Sequence, residues 1–263
     1  MDKLNIIKIG GNIIDDEMKL SEFIASISSL NEPFILVHGG GKLATDLAEK
    51  LNIPQQLIDG RRVTNAETLK IATMVYAGYI NKTIVALLQK NNINSIGLSG
   101  TDGNLIEAKK RKNNEIDYGF VGDISKESIN ISFLESMSNL GLTPVICAIT
   151  HDKKGQLLNT NADTIANVIA TCLAHLFEVK LFYCFEKKGV LLNSEDENSV
   201  IESLNFETFQ DLKNKGIINK GMIPKIENCF QALANGVKEI GIINAQNCVN
   251  FITKNNNEGT RIK

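Results

Sequence analysis

The chain has 263 residues, of which 43% are hydrophobic and 22% charged, and its formal net charge is -2. Such a composition suits a globular protein with a substantial buried core. The near-neutral balance excludes the basic field that nucleic-acid binding or adhesion to an anionic membrane requires.

The first stretch, "LNIIKIGG" over 4–11, is an apolar strand that ends in Lys8 and then Gly10 and Gly11. A lysine there either snorkels to water or meets an anion at the strand end. The next strand, "PFILVHGG", runs into three glycines, Gly39, Gly40 and Gly41, followed by Lys42. Glycines at such points make tight turns. They also let bare backbone N–H groups approach an anion where a helix begins. The glycine stretches are neither a P-loop nor a dinucleotide fingerprint, so any nucleotide binds in another way.

"RRVTNAETLKIATMVYAGYINKTIVALLQKN" follows and predicts the longest helix. Thr64 and Glu67 have capping-box spacing, and Leu69, Ala72, Val75, Tyr76, Tyr79, Ile80, Val85 and Leu88 recur roughly at helical period. Arg62, just before it, is an ordinary loop arginine or a bidentate partner for a carboxylate. "SIGLSG", "TPVICAI", "KLFYCF" and "EIGII" are further strands. Their consecutive apolar positions predict a sheet covered on both faces. Strands alternating with amphipathic stretches predict an α/β fold with a mostly parallel sheet.

Two hairpins interrupt the alternation, one turning at Asn113-Asn114-Glu115 and one at Gly155. "NTNADTIANVIA" then places Asp163 in the first turn of a helix, either as a favourable N-terminal charge or as the partner of a cation. Asn159 and Asn161 beside it offer neutral hydrogen-bonding groups. In "KGMIPKIENCFQAL", Lys225 stands one turn into a helix after Gly221 and Pro224, as a surface lysine or an anion ligand. Cys147, Cys172, Cys184, Cys229 and Cys248 stand singly, without metal or redox spacing, and are expected to be reduced packing residues. With no signal peptide and no apolar run of about 18 residues, they predict a cytoplasmic protein.

Taken in order, "KIGG", "HGGG", "GRRVT", "NKT", "SGTDGN", "NTNAD", "KGMIPK" and "GTRI" span nearly the whole chain and resemble the acetylglutamate kinases of the amino-acid kinase family. The resemblance implies a three-layer αβα sandwich around a mainly parallel open sheet of about eight strands, the carbamate kinase-like fold. It implies one domain over 1–263, with an acyl-glutamate lobe at about 1–176 and an ATP lobe at about 177–263. The implied reaction is phosphorylation of the γ-carboxylate of an N-acyl-L-glutamate by ATP, in arginine biosynthesis, with Mg2+ held mainly by phosphates and water.

By the same resemblance, Lys8 stabilises the transferring phosphoryl group, Lys225 the nucleotide side, and Asp163 orients both. Gly39, Gly40, Arg62 and Asn159 hold the substrate. Gly10, Gly11, Glu186, Gly189, Gly221, Met222 and Lys225 face the nucleotide. The sequence departs from the family at "CFEKKG", 184–189, where Glu186 stands in place of an aspartate. A strand starting so near Met1 leaves no room for the additional N-terminal helix of arginine-inhibited members. A plain homodimer without arginine feedback is therefore expected, with a small-molecule substrate, no nucleic acid and no membrane. The acyl group stays open between acetyl and succinyl; Arg61 and Lys42 are candidate cations for a second carboxylate. The rival from another class is a noncatalytic amino-acid or nucleotide sensor.

Overall fold

Strands Lys3–Ile9 (β1), Phe34–His38 (β2), Ser95–Leu98 (β3), Thr143–Cys147 (β4), Glu178–Phe185 (β5), Ser203–Leu204 (β6), Glu239–Asn244 (β7) and Gly259–Ile262 (β8) form one sheet in the computed structural model. Their order is β6-β8-β7-β5-β1-β2-β4-β3. Every neighbouring pair is parallel except β7 with β8. The structure describes residues 1–58, 61–113, 115–193, 195–218, 221–254 and 258–263, without the Arg61 side chain. Gly60 of "GRRVT", Lys220 of "KGMIPK" and the expected turn centre Asn114 lie outside the described residues.

All six strands expected from the apolar runs are in the sheet. β2 is buried at every position, as its unbroken apolar run demands. β6 has only two residues, too few for any pattern to reveal.

Helices Glu17–Ile27 (α1), Gly41–Lys50 (α2), Ala66–Lys90 (α3), Ile131–Asn139 (α4), Ala162–Leu173 (α5), Phe206–Asn214 (α6), Ile223–Ala234 (α7) and Cys248–Lys254 (α8) surround the sheet. α5 covers β1, β2 and β5 and packs on α7, while α1 packs on α3 and α8. The second expected hairpin pairs 149–151 with 157–159 around Gly155 at φ 92°. In the first, Lys109 pairs with Asp123 and Lys110 with Gly122.

Helix α3 departs from the expected pattern in two ways. Its N-cap is Asn65, whose side chain accepts the Thr68 N–H at 2.9 Å. Thr64 is instead fully buried and bonded to the Arg62 carbonyl, so the capping box spaced from Thr64 does not form. The helix also widens into a π stretch over Met74–Ile80. The extra residue shifts the helical phase, which leaves Tyr79 exposed and brings Ile84 into the core beside Leu88. By length and mean hydropathy α3 could cross a membrane, although no single apolar run announces it. Val75, Tyr76, Ile80, Ile84 and Leu88 bury its apolar side in the core.

All five cysteines are buried and free. Cys184 and Cys248 approach to 3.5 Å between sulfurs, and burial pushes the Cys147 and Cys229 thiols up to about 12.

The chain leaves β1 toward β2, β4 and β3 on one side. It returns to β1 from the other side through β5. β1 and β5 therefore flank the point where strand order reverses, the place at which open α/β sheets form a ligand crevice beyond their carboxyl ends. Gly11, Gly39 and Gly40 follow two of those ends.

Gly40 is fixed by sterics. Its φ is 154°, and a Cβ there would lie 2.2 Å from Ile80 Cδ1 and 3.0 Å from Tyr76 Cδ1. Gly40→Ala combines backbone strain with overpacking and should cost about 3 kcal/mol or more. Thermal unfolding should show Tm falling by roughly 6–12 °C; an unchanged Tm would contradict the packing.

Candidate active site

Lys8 sits one residue before the end of β1, in register with Tyr183 of β5 and Val37 of β2. Asp163 is the second residue of α5, a helix begun by the Asn161 side chain accepting the Thr164 N–H at 3.0 Å. Lys225 lies in the first turn of α7, where Pro224 is accommodated because the first N–H groups of a helix have no intrahelical partner. Three elements remote in sequence thus deliver three charged side chains to one crevice.

Asp163 bridges the two lysines, with Oδ1 at 2.7 Å from Lys8 Nζ and Oδ2 at 3.1 Å from Lys225 Nζ. Their side chains are only 12% (Lys8), 23% (Asp163) and 16% (Lys225) exposed. Burial alone would raise the Asp163 pKa, but the two ammonium groups overcome it and hold the carboxyl at about 2. The Lys225 pKa is lowered as well: burial and the nearby Lys8 charge outweigh the pull of Asp163. Two cations around one anion leave an unneutralised positive charge in a partly desolvated crevice.

An aromatic floor supports the cations. Lys225 Nζ lies 3.9 Å from the Phe185 ring centroid and Lys8 Nζ 5.7 Å from it, and Lys225 is 5.6 Å from Tyr183. Tyr183 and Phe185 alternate to the same face of β5. Phe185 was not singled out from the sequence, although the strand period would have placed it beside the lysine-bearing end of β1.

The glycines divide. The Gly10 N–H donates to the Cys184 carbonyl at 3.0 Å, so that amide is committed to the β1–β5 junction. This corrects the expectation that Gly10 offers an N–H to phosphate. Gly11 opens the helical turn Gly11–Ile14, Gly39 follows β2, and Gly40 is the N-cap of the ten-residue α2. Among the described residues no acceptor takes the Gly11, Gly39 or Gly40 N–H.

Arg62 donates through Nη2 to the Gly41 carbonyl at 2.7 Å and to Thr45 Oγ1 at 2.8 Å, and through Nη1 to Gln55 Oε1. It is thereby laid against the start of α2. Asn159 Nδ2 donates to Thr64 Oγ1 at 3.1 Å, and that hydroxyl donates to the Arg62 carbonyl. Arg62 and Asn159, the two side chains among the four expected substrate-binding residues, therefore belong to one network on the β2 side of Lys8, with Gln55 and Thr45 as members that no motif marked.

On the β5 side, the exposed Glu186 follows the strand, and its carbonyl accepts from Asn244 Nδ2 at 2.5 Å. Gly221 and Met222 lead into α7, with Met222 as its N-cap residue. Gly189 is buried; a Cβ there would lie 2.6 Å from Thr260 Oγ1. Packing against β8 accounts for that glycine.

Among the described residues no group of three or more His, Cys, Asp or Glu side chains could hold a metal ion. Open amides beside two ammonium groups suit a polyphosphate, and the donor set favours an anion.

The model of the amino acid kinase family matches residues 3–244. An acetylglutamate kinase of Cytophaga hutchinsonii is 51% identical over 263 residues, covering 100% of this chain and 99% of that protein. One from Methanopyrus kandleri is 36% identical over 92% of this chain and 96% of its own. Among solved structures, an N-acetylglutamate synthase of Neisseria gonorrhoeae, complexed with coenzyme A and N-acetyl-glutamate, superposes with a TM-score of 0.82 at 21% identity. The match covers 98% of this chain but only 59% of the synthase. Carbamate kinase of Giardia lamblia bound to AMP-PNP gives 0.70 at 12% identity, over 99% and 98% of the two chains. These two likenesses concern the fold.

The pairing of Asp163 has a pH signature. A carboxyl lowered from 3.8 to about 2 on folding contributes stability that is fully present above the unfolded value and is lost as pH falls through the folded one. Denaturant unfolding of wild type and Asp163→Asn should show the wild type losing about 2 kcal/mol relative to the variant between about pH 4 and pH 2. A constant difference across that window would remove the ion pairs from the folded state.

Proposed function

The chain belongs to the amino acid kinase family, and from that premise we propose that it transfers the γ-phosphoryl group of ATP to the γ-carboxylate of N-acetyl-L-glutamate. The products are N-acetyl-L-glutamyl 5-phosphate and ADP, on the route to arginine. The observation that carries the reading is Asp163 bridging Lys8 and Lys225 within 3.1 Å at the switch point of the sheet. Acetylglutamate kinases 45–51% identical over the full chain support the choice of substrate.

Carboxylate and triphosphate are both anions, so positioning and charge neutralisation dominate such a transfer. The acceptor is ionised at neutral pH and needs no general base. Its oxygen forms the new bond to the γ-phosphorus as the bond to the β–γ bridging oxygen breaks, and ADP leaves with that electron pair. Lys8 sits toward the transferring phosphoryl and Lys225 toward the nucleotide side. A cation about 4 Å from an oxyanion is worth on the order of 4 kcal/mol at an effective dielectric near 20, before desolvation. Asp163 accepts no proton; it holds both ammonium groups in place and aims them.

In this reading Gly39 and Gly40 turn their amides to the reacting carboxylate and Gly11 to the phosphates. Arg62 grips the α-carboxylate, exchanging part of its present hydrogen bonding for the ligand, and Asn159 binds the amide end. Glu186, Gly221 and Met222 flank the nucleotide. Mg2+ is held by phosphate oxygens and water and spreads charge on the triphosphate when bound. Residues at about 1–176 form the acyl-glutamate lobe and those at about 177–263 the ATP lobe.

The protein acts in the cytoplasm as a homodimer. Met74 and Tyr79, both more than half exposed, form with Leu43 and Leu47 an apolar face on α2 and α3 suited to a second copy.

Trapping the acyl phosphate as a hydroxamate tests the activity directly, with ATP and N-acetylglutamate, N-succinylglutamate, aspartate and carbamate offered side by side. N-acetylglutamate should give the strongest signal, and no signal from any acyl-glutamate would overturn the proposal. Lys8→Ala and Lys225→Ala should each lower turnover about 10²-fold or more, as loss of one preorganised transition-state donor does. Near-normal turnover in both would reject their roles. Arg62→Ala should chiefly raise KM for the acyl-glutamate, and an unchanged KM would take Arg62 out of the site.

A further inference from the structure

His38 and Asn81 belong to the "HGGG" and "NKT" stretches and stand apart from Lys8, Asp163 and Lys225. Both are buried, His38 fully and Asn81 at 1% exposure. His38 Nδ1 lies 2.8 Å from the Gly39 carbonyl, and His38 Nε2 lies 3.1 Å from Asn81 Nδ2. Asn81 Nδ2 also donates to the Val145 carbonyl at 3.0 Å, and Asn81 Oδ1 accepts from Lys82 Nζ at 3.1 Å. The carboxamide is therefore held with its nitrogen toward His38.

These contacts fix the tautomer. A carboxamide nitrogen can only donate, so Nε2 must be the bare, accepting nitrogen and the proton must reside on Nδ1. Burial holds His38 down at about 4, so the ring is neutral at physiological pH. The Nδ1–H then has one acceptor, the Gly39 carbonyl. In a planar trans peptide the carbonyl and the following N–H point in opposite directions. Holding the Gly39 carbonyl on the imidazole therefore turns the Gly40 N–H away from it, and no acceptor among the described residues takes that N–H.

The surrounding sequence makes room for this arrangement. Asn81 is the first residue after the π stretch Met74–Ile80, whose extra residue changes the direction in which the next side chain points. At Gly97 on β3, a Cβ would lie 2.0 Å from Asn81 Oδ1. Ile80 and Tyr76 press on Gly40 from the same helix. Helix α3 thus bears on the glycine turn twice, through hydrocarbon at Gly40 and through the His38–Asn81 hydrogen bond at Gly39.

We infer that His38 and Asn81 are positioning residues for the phosphoryl transfer: Asn81 sets the His38 tautomer, and His38 aims the Gly40 amide at the oxygen that attacks. This rests on the proposed kinase reading. Without Asn81 the ring is free to carry its proton on Nε2, which puts a lone pair of Nδ1 against the Gly39 carbonyl and releases the peptide. Neither residue touches the reactants.

The test combines kinetics with nitrogen-15 NMR of the full chain labelled at its three histidines. In wild type, two-bond proton–nitrogen correlations should show one histidine locked as the Nδ1–H tautomer and unprotonated from pH 8 down to about pH 5, assigned by its disappearance in His38→Gln. Asn81→Ala should lose that locked pattern. It should also lower kcat about tenfold or more, with KM for ATP changed by less than about twofold. An Nε2–H tautomer in wild type overturns the inference whether or not any variant folds. Folded Asn81→Ala with wild-type kcat, or with a mixed tautomer and no loss of kcat, overturns it as well. Wild type that shows the locked tautomer but phosphorylates no acyl-glutamate defeats the kinase reading, leaving His38 and Asn81 a purely structural pair.

Discussion

One carboxylate shared between two ammonium groups organises this crevice. Alone, Lys8 and Lys225 would repel each other, and each would be poorly solvated where it lies. Asp163, at 2.7 and 3.1 Å from them, makes their approach tolerable. It does not cancel them: one positive charge remains for an incoming anion. A buried ion pair is weak evidence for stability, because desolvation offsets much of the attraction. The trio is better understood as preorganisation, with charge fixed before the reactants arrive so that little rearrangement is needed as phosphorus changes partners.

The fold explains why these three meet. β1 and β5 are neighbours at the reversal of strand order, so their carboxyl ends open a gap that no crossover helix fills. Lys8 comes from the end of β1. Asp163 and Lys225 come from the first turns of α5 and α7, helices that pack on each other above the same face. The amides of Gly11, Gly39 and Gly40 add neutral donors along the rim. On the proposed reading, acyl-glutamate enters from the β2 side, where Arg62 and Asn159 share a network, and nucleotide from the β5 side. The lysines lie where the two approaches meet.

Much of this was legible in the sequence, for identifiable reasons. Buried parallel strands announce themselves as unbroken apolar runs, so six of the eight strands are legible, whereas two-residue β6 and four-residue β8, with Thr260 and Arg261 at its centre, offer no such run. Lys8 is visible because it interrupts an apolar strand, whereas Asp163 and Lys225 each have an ordinary local reading, and family resemblance brings the three together. Side-chain partners were less visible. A Thr-Glu spacing suggested a cap at Thr64, but Thr64 is drawn inward by Asn159 and the Arg62 carbonyl, and Asn65 caps the helix instead. The π stretch is a one-residue change of phase within a helical apolar pattern, and so Tyr79 was placed on the wrong face. Gly10 and Gly189 look like ligand-binding glycines in a sequence, yet a sheet hydrogen bond and the packing on Thr260 occupy them. Phe185 was hidden in an apolar run that was complete without a role for its ring.

On the proposed mechanism both ammonium groups converge on the phosphoryl group in flight. Crystals of the protein grown with ADP, magnesium, aluminium fluoride and N-acetylglutamate would show this most directly, since the planar fluoride stands in for the transferring group. Lys8 Nζ and Lys225 Nζ should both lie within roughly 2.7–3.2 Å of fluoride or of the oxygen bridging to ADP, with Asp163 still between them. A fluoride bound away from both lysines, with the reactants otherwise in line, would contradict it.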